Sequence, residues 1–187
     1  GERYQYWDSQ QKASRVGEPT LEHSYPGAQC FISGSSLARY MTWDAMRAID
    51  YLVTRLEVDP SRLGVTGRSG GGTQAAYLGA MDARIKAAAP ENYITTFRRL
   101  IESRGVQDAE QSFLSGIASA IDLPDLLVAR APRPTLMITT TRDMFSIQGA
   151  REARDEAARA FEAHGEAGNF LMVEDDAPHA STPKNRE

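Results

Sequence analysis

The pentapeptide Gly67-Arg68-Ser69-Gly70-Gly71 places a serine hydroxyl between small residues, in the G-x-S-x-G pattern of an acyl-transfer nucleophile. An apolar run, Leu63 to Thr66, precedes it, and a helical sequence, Thr73 to Met81, follows it. Because a sharp strand-to-helix turn strains the backbone, the neighbours of such a serine must be small. We therefore predict that Ser69 projects from a strand end and that the amide of Gly70 is placed to bind an oxyanion. The alternative is a glycine-rich turn that buries an inert serine.

A serine hydroxyl attacks an acyl group only if a base accepts its proton and a carboxylate holds that base in the right tautomer. The chain contains three histidines, His23, His164 and His179. His179 follows the last predicted strand, so it is the preferred base. His164 lies at the carboxyl end of a predicted helix, where a cation interacts favourably with the helix dipole. His23 precedes the Ser69 strand in a loop that contains tyrosine and proline.

The carboxylate is predicted to be Asp143, which ends a strand two crossovers after Ser69 and thus lies along the same sheet edge. The alternative role for Asp143 is to cap the helix that follows it. Asp175 and Asp176 are nearer to His179 in sequence, and one of them could replace Asp143. With Asp143, the order along the chain is serine, acid, histidine, which is the order of one particular fold.

The predicted elements alternate between strands and helices. An apolar stripe with helical period begins at Ser36 and ends before the turn at Asp59. Further strands are predicted at 84–90, 135–141 and 169–173, and a further helix at 148–164. This alternation predicts an α/β fold with a parallel sheet, right-handed crossovers and ligand chemistry at the carboxyl ends of the strands.

Two stretches lie outside this alternation. Residues 1–34 have no clear period, and we predict a long surface excursion with at most one short helical turn. Residues 91–130 are predicted to form helices over the carboxyl edge of the sheet, where a cap that shapes the substrate pocket would lie. Pro124 is predicted to start one of these helices.

The composition favours one globular domain, residues 1–187, because the chain has 187 residues of which 41% are hydrophobic and 25% charged. A net charge of -4 with scattered basic residues argues against a nucleic-acid partner. Cys30 is the only cysteine, so neither an internal disulfide nor a Cys-His zinc site can form. No apolar run approaches the roughly 18 residues of a membrane span, and no signal peptide is visible. We expect no membrane partner, cofactor or metal, and the compartment stays open.

Over nearly its whole length, residues 36–179, the chain resembles the second half of the α/β-hydrolase fold. The motifs most similar to acetyl xylan esterases and the dienelactone-hydrolase-like group are Val65-Thr-Gly-Arg-Ser-Gly-Gly-Gly72, Asp82-Ala-Arg-Ile85, Ala131-Pro-Arg-Pro134, Thr141-Arg-Asp143 and Asp176-Ala-Pro-His179. The resemblance implies that Ser69 is the nucleophile, His179 the general base and acid, and Asp143 its orienting carboxylate. It also implies that Gly70 donates one hydrogen bond to the oxyanion.

One part of the family pattern has no counterpart in this sequence. In the α/β-hydrolases a second oxyanion donor comes from a loop after an upstream strand, and nothing before Ser36 resembles that strand. We therefore expect an α/β-hydrolase fold without its N-terminal strands. The strand from Leu63 to Thr66 would then be an open edge, which invites pairing with another chain. A missing N-terminal segment or a partner chain is predicted to cover this edge.

These features lead to one main functional hypothesis and two alternatives. The main hypothesis is a metal-free serine ester hydrolase that cleaves carboxylic esters through an acyl-Ser69 intermediate, with small-molecule esters or acetylated carbohydrates as substrates. The first alternative is a serine peptidase of the prolyl oligopeptidase type, although the sequence contains no propeller domain. The second alternative is a non-catalytic interaction module that has kept half of the fold.

Overall fold

The computed structural model describes residues 6–17, 19–105 and 107–186. The described strands are β1 (Trp7–Asp8), β2 (Ala13–Ser14), β3 (Gly64–Arg68), β4 (Ala87–Glu91), β5 (Thr135–Arg142) and β6 (Phe170–Pro178). The described α-helices are α1 (Pro19–Ile32), α2 (Leu37–Leu52), α3 (Gly70–Met81), α4 (Phe97–Ser103), α5 (Leu123–Val128) and α6 (Ile147–Ala163). Strands β3 to β6 form a parallel sheet in the order β3-β4-β5-β6, and β1 pairs with β2 antiparallel. The predicted α/β fold with a parallel sheet is confirmed.

Helices α2, α4, α5 and α6 begin where the sequence supplies a capping side chain. The hydroxyl of Ser36 accepts a hydrogen bond from the amide of Arg39 at the start of α2, which satisfies an amide that has no partner within the helix. Helix α2 ends at Leu52, before the predicted turn at Asp59. There the carboxylate of Asp59 accepts the amide of Ser61 at 2.9 Å, at the start of a short 3-10 turn. None of the helices among the described residues is long and apolar enough to span a membrane.

All the connecting helices lie on one face of the parallel sheet, because the strands follow one another in chain order and parallel crossovers are right-handed. The other face is open in the described part of the chain. A cavity on that face is bordered by small and apolar residues, which include Gly64, Thr66, Ala87, Ala89, Leu136 and Leu171. The side chain of Leu171 is 61% exposed there. Parallel sheets are normally covered on both faces, so this face is unusual.

The hydrophobic core lies between the covered face of the sheet and the helices. Its fully buried members include Tyr77, Leu123, Leu127, Met137 and Phe161. Pro124 lies in the first turn of α5, as predicted, but α5 packs against α3 and α6 as part of the helical layer. The final helix of the predicted cap segment, 91–130, therefore belongs to the core rather than to a cap. A cap role for the preceding part of that segment stays a prediction.

Helix α1 contradicts the prediction of a long irregular excursion at 1–34. The structure has a helix of 14 residues there, Pro19–Ile32, although Pro26 lies inside it. Residues 1–5 and 18 of that stretch are outside the described residues. The helix is held by tertiary contacts: the carboxylate of Glu22 accepts the hydroxyl of Ser14 at 2.8 Å, and Gly27 packs too closely on Ala109 for any side chain. Local turn signals around Pro26 were overridden by this packing.

Candidate active site

Ser69 is the single residue between β3 and α3, and its backbone is strained. Its φ of 58° and ψ of -119° lie in a region that residues with side chains rarely adopt. The amide of Ser69 donates to the carbonyl of Glu91 at 3.0 Å, and its carbonyl accepts from the amide of Thr73 at 2.9 Å. These bonds on both sides hold Ser69 at the carboxyl end of β3, where the sequence predicted it.

Two glycines beside Ser69 are required by close backbone contacts. A Cβ at Gly67 would clash with the backbone of Gly71, and a Cβ at Gly72 would clash with the carbonyl oxygen of Glu91. Gly70, in contrast, has open space where a side chain would lie. Its amide is in the first turn of α3, where backbone amides have no carbonyl partner within the helix. The role of Gly70 as an oxyanion donor stays a prediction, and the position of its amide in the first turn of α3 supports it.

The structure brings Asp143 and His179 together. Nδ1 of His179 lies 2.8 Å and 2.9 Å from the two carboxylate oxygens of Asp143. The Asp143 side chain is 2% exposed and the His179 side chain 18% exposed. The same carboxylate accepts the amide of Phe145 at 3.0 Å and the hydroxyl of Thr140 at 3.1 Å. An ionised carboxylate only accepts, so Nδ1 of His179 is the donor in this contact, and in the neutral imidazole Nε2 is then an acceptor.

Asp143 does not cap the helix that follows it, and neither Asp175 nor Asp176 takes its place beside His179. Helix α6 is capped by Ser146, whose hydroxyl accepts the amide of Gly149, so Asp143 does not cap it. Asp176 is exposed and accepts hydrogen bonds from its neighbours across the sheet, Thr141 and Arg142. Asp175 accepts the amide of the next residue. Among the described residues, neither of these two aspartates is hydrogen bonded to the imidazole.

The other two histidines lie elsewhere in the fold. His23 in α1 pairs with Glu110, with 2.9 Å between Nδ1 and the carboxylate, and burial raises the pKa of Glu110. His164 is exposed and ends α6, which confirms its predicted place at a helix carboxyl end. Among the described residues, no group of three or more His, Cys, Asp or Glu side chains is placed to hold a metal ion.

Ser69 and His179 lie at the same edge of the sheet. The guanidinium of Arg68, the residue before Ser69, donates to the carbonyl of His179 at 3.2 Å. No hydrogen bond among the described residues involves the Ser69 hydroxyl, so the serine-histidine pair is not joined in this conformation. Catalytic hydrogen bonds of this kind are often long in free enzymes and shorten when substrate binds.

Sequence reasoning missed two residues at the carboxyl end of β4, Glu91 and Asn92. The carboxylate of Glu91 accepts the hydroxyl of Ser181 at 2.7 Å, and the side-chain amide of Asn92 donates to the carbonyl of Ala180 at 3.2 Å. Glu91 and Asn92 are both buried. Roughly ninety positions separate the partners along the chain, so no local pattern indicates the contacts. The one available signal was their place at the carboxyl end of a parallel strand.

Comparison with known proteins supports the architecture. Residues 35–115 match the family model of acetyl xylan esterases, AXE1. YtaP of Bacillus subtilis (strain 168), a hydrolase by name, is 24% identical over 156 residues, which are 82% of this chain and 52% of YtaP. The glucuronoyl esterase catalytic domain from Hypocrea jecorina has a TM-score of 0.69 at 22% identity, covering 81% of this chain and 49% of that one. A glucuronoyl esterase from Solibacter usitatus has a TM-score of 0.67 at 19% identity, covering 81% and 46%. The chain spans about half the length of these proteins.

Proposed function

We propose that this chain, which has the fold of the α/β-hydrolases, is a serine ester hydrolase that cleaves carboxylic esters. The observation that carries the proposal is the hydrogen bond between Asp143 and Nδ1 of His179, at the sheet edge where Ser69 occupies a strained turn. This arrangement leaves Nε2 as a base on the side of the imidazole opposite the carboxylate. A strained, partly buried serine at the end of a strand fits a nucleophile.

The proposed reaction has two acyl-transfer steps. Oγ of Ser69 attacks the ester carbonyl carbon while Nε2 of His179 accepts the hydroxyl proton, and the carbonyl oxygen becomes an oxyanion. The amide of Gly70 donates to that oxyanion. The carbon-oxygen bond to the alcohol then breaks, the imidazolium returns its proton to the leaving alkoxide, and an acyl-Ser69 ester remains. Water repeats the sequence and releases the carboxylic acid and free Ser69.

In this reaction Asp143 holds His179 in the tautomer that the first proton transfer requires. Its carboxylate also stabilises the imidazolium that forms during each step. Because the side chain of Asp143 is almost fully buried and accepts from the Phe145 amide and the Thr140 hydroxyl as well, it cannot easily rotate away.

We propose an acetyl group on a carbohydrate as the substrate. Support comes from the match of residues 35–115 to acetyl xylan esterases and from the likeness to solved glucuronoyl esterases, which are named for esters of a sugar acid. The peptidase alternative and the non-catalytic alternative are not favoured by these relatives. A non-catalytic interaction module would also not require the buried, hydrogen-bonded pair of Asp143 and His179.

We further propose that additional polypeptide covers the outer edge of β3 and the open face of the sheet. In the described part of the chain β3 pairs with β4 alone. Open edges and apolar faces are normally covered in folded proteins. The relatives are about twice as long as this chain and therefore contain further polypeptide. In this protein, an N-terminal segment or a partner chain would take the place of that polypeptide.

A hydrolysis panel tests the proposed function. The purified protein is given acetylated xylo-oligosaccharide, p-nitrophenyl acetate and a prolyl p-nitroanilide, and the same assay is run on Ser69→Ala and on Ser119→Ala. Ser119 is exposed and lies in a 3-10 turn of residues 117–119, so it is a matched control. We expect acetate release that Ser69→Ala abolishes and Ser119→Ala retains. Cleavage of the anilide alone, or equal ester hydrolysis by Ser69→Ala, would contradict the proposal.

A further inference from the structure

The loop after β6 is fixed to the ends of β3 and β4 by three consecutive contacts, which we call the loop clamp. The contacts are Arg68 Nη1 to the carbonyl of His179 at 3.2 Å, Asn92 Nδ2 to the carbonyl of Ala180 at 3.2 Å, and Ser181 Oγ to Glu91 Oε2 at 2.7 Å. In each contact the strand end supplies a side chain: Arg68 and Asn92 donate to the loop backbone, and Glu91 accepts from the hydroxyl of Ser181. Three successive residues of the loop are thus held to two strands of the sheet.

The same two strand ends also hold the proposed nucleophile. Arg68 directly precedes Ser69, and the carbonyl of Glu91 accepts the amide of Ser69 at 3.0 Å. The nucleophile turn and the loop that carries the proposed base are therefore fixed to one common frame. We infer that Arg68, Glu91 and Asn92 are positioning residues that set the distance between the hydroxyl and the imidazole. This inference rests on the proposed function of the site.

Asp143 alone cannot set the distance between the Ser69 hydroxyl and the His179 imidazole. Its carboxylate fixes the orientation of the His179 ring through Nδ1, but the distance from Nε2 to Ser69 also depends on where the loop backbone lies. The ring of Phe145, 5.9 Å from the imidazole centroid, adds an aromatic contact. Since a displacement of about 1 Å can lower a catalytic rate by about 100-fold, the backbone must be held from another direction. The loop clamp holds the backbone of this loop from that second direction.

Asn92 is the most deeply buried member of the loop clamp. It is 2% exposed, and its backbone amide donates to the carbonyl of Ile138 at 2.9 Å, which ties the end of β4 to β5. Its φ of 50° is a conformation that asparagine adopts more readily than most residues. Its side-chain amide therefore meets the carbonyl of Ala180, next to His179, from a fixed position.

A double-mutant cycle tests the inference. We expect Asn92→Ala to lower kcat by about 10- to 100-fold with little change in KM, because the base is misplaced while the substrate still binds. In a His179→Ala background the same change should lower the rate no further, since there is no base left to position. An equal loss in both backgrounds, or a raised KM with unchanged kcat, would overturn the inference.

Two further substitutions cover the case in which Asn92→Ala does not fold. Arg68→Met should lower kcat, and Arg68→Lys, which keeps a donor, should restore part of the loss. Ser181→Ala removes only the contact with Glu91 and should lower kcat several-fold. Arg98→Met serves as the matched control, because Arg98 is 76% exposed and pairs with Glu102 on the surface of α4. If Arg68→Met and Ser181→Ala match this control, the loop clamp has no positioning role.

A readout without substrate separates this inference from the proposed function. The proton on Nδ1 of His179, bonded to Asp143, gives a downfield nuclear magnetic resonance signal that is assigned by its loss in His179→Ala. We expect Ser181→Ala and Arg68→Met to shift or broaden this signal, whereas Arg98→Met leaves it unchanged. A perturbed signal in a protein that hydrolyses no ester would sustain the loop clamp and refute the proposed function. An unperturbed signal together with unchanged kcat would refute the loop clamp alone.

Discussion

Asp143 and His179 are hydrogen bonded at 2.8 Å although 36 positions separate them in the chain. The register of the sheet explains this proximity. Arg142 of β5 pairs with Pro178 of β6, so Asp143 and His179 are the next residues on two neighbouring strand ends. The register shifts by one residue just before this point, from Thr140 with Asp175 to Arg142 with Pro178, and this irregularity brings the carboxylate and the imidazole to the same level.

The first prediction concerns the carboxylate. Asp143→Asn keeps the size of the side chain but offers a donor to Nδ1, which favours the wrong imidazole tautomer. We expect kcat for p-nitrophenyl acetate to fall by about 10,000-fold. Asp176→Asn is the matched control, because Asp176 is exposed and bonded to Thr141, and it should retain full activity. Equal activity of Asp143→Asn and wild type would show that the pair has no catalytic role.

The meeting of the three candidate residues at one sheet edge was predictable from sequence because each candidate follows a strand. The G-x-S-x-G pattern, the run that ends in Asp143 and the run that precedes His179 each have strong local signals. Parallel topology then requires that all three strand ends meet at one edge. The strand before His179 is longer than predicted and continues to Pro178, because its backbone stays paired with β5 as far as Arg142.

Other features could not be predicted because they depend on distant partners. Helix α1 contains Pro26 and Gly27, which locally indicate a turn, and only the packing on Ala109 explains the helix. Asn92 has no neighbouring motif, and its partner Ala180 is 88 positions away. Contacts of this range leave no periodic pattern in a single sequence.

A second prediction concerns the turn that holds the serine. Gly72→Ala should lower the free energy of unfolding by about 1–3 kcal/mol, because the new methyl group meets the carbonyl oxygen of Glu91 that accepts the Ser69 amide. Gly71→Ala places its methyl group in open space and should leave stability unchanged or raise it by up to about 1 kcal/mol. Urea unfolding of both variants measures the difference. Equal effects would mean that the turn is not tightly packed.

A third prediction concerns Asp82, whose carboxylate binds the Arg84 guanidinium at 2.6 Å. The hydrogen bond from Arg84 lowers the pKa of Asp82 below its ordinary value. A lowered pKa in the folded state means that ionised Asp82 stabilises the fold above the unfolded-state pKa, and that this stability is lost as the pH falls through the folded-state pKa.

Asp82→Asn should therefore lower the free energy of unfolding by about 1–3 kcal/mol at neutral pH. The gap to wild type should close as the pH falls below about 4. Asp155→Asn, at an exposed pair with Arg154, should change stability by less than about 0.5 kcal/mol. Urea unfolding at several pH values measures all three proteins. A gap that stays constant down to acidic pH would contradict the assignment.

A fourth prediction concerns the edge of the sheet. If additional polypeptide covers β3, backbone amides of Gly64–Arg68 should exchange with deuterium as slowly as those of Thr135–Arg142, which are flanked by strands on both sides. An open edge would instead leave part of the β3 amides without partners. Hydrogen exchange read by mass spectrometry distinguishes the two. Rapid exchange of β3 beside a protected β5 would contradict the proposed cover.

The most direct measurement is to trap the nucleophile. The protein is incubated with a fluorophosphonate, digested, and searched by mass spectrometry for the phosphonylated residue, with His179→Ala treated in parallel. We predict a single adduct on Ser69 that forms much more slowly in His179→Ala, because the imidazole no longer accepts the hydroxyl proton. An unmodified Ser69, or labelling at the same rate without His179, would contradict the assignment of this site.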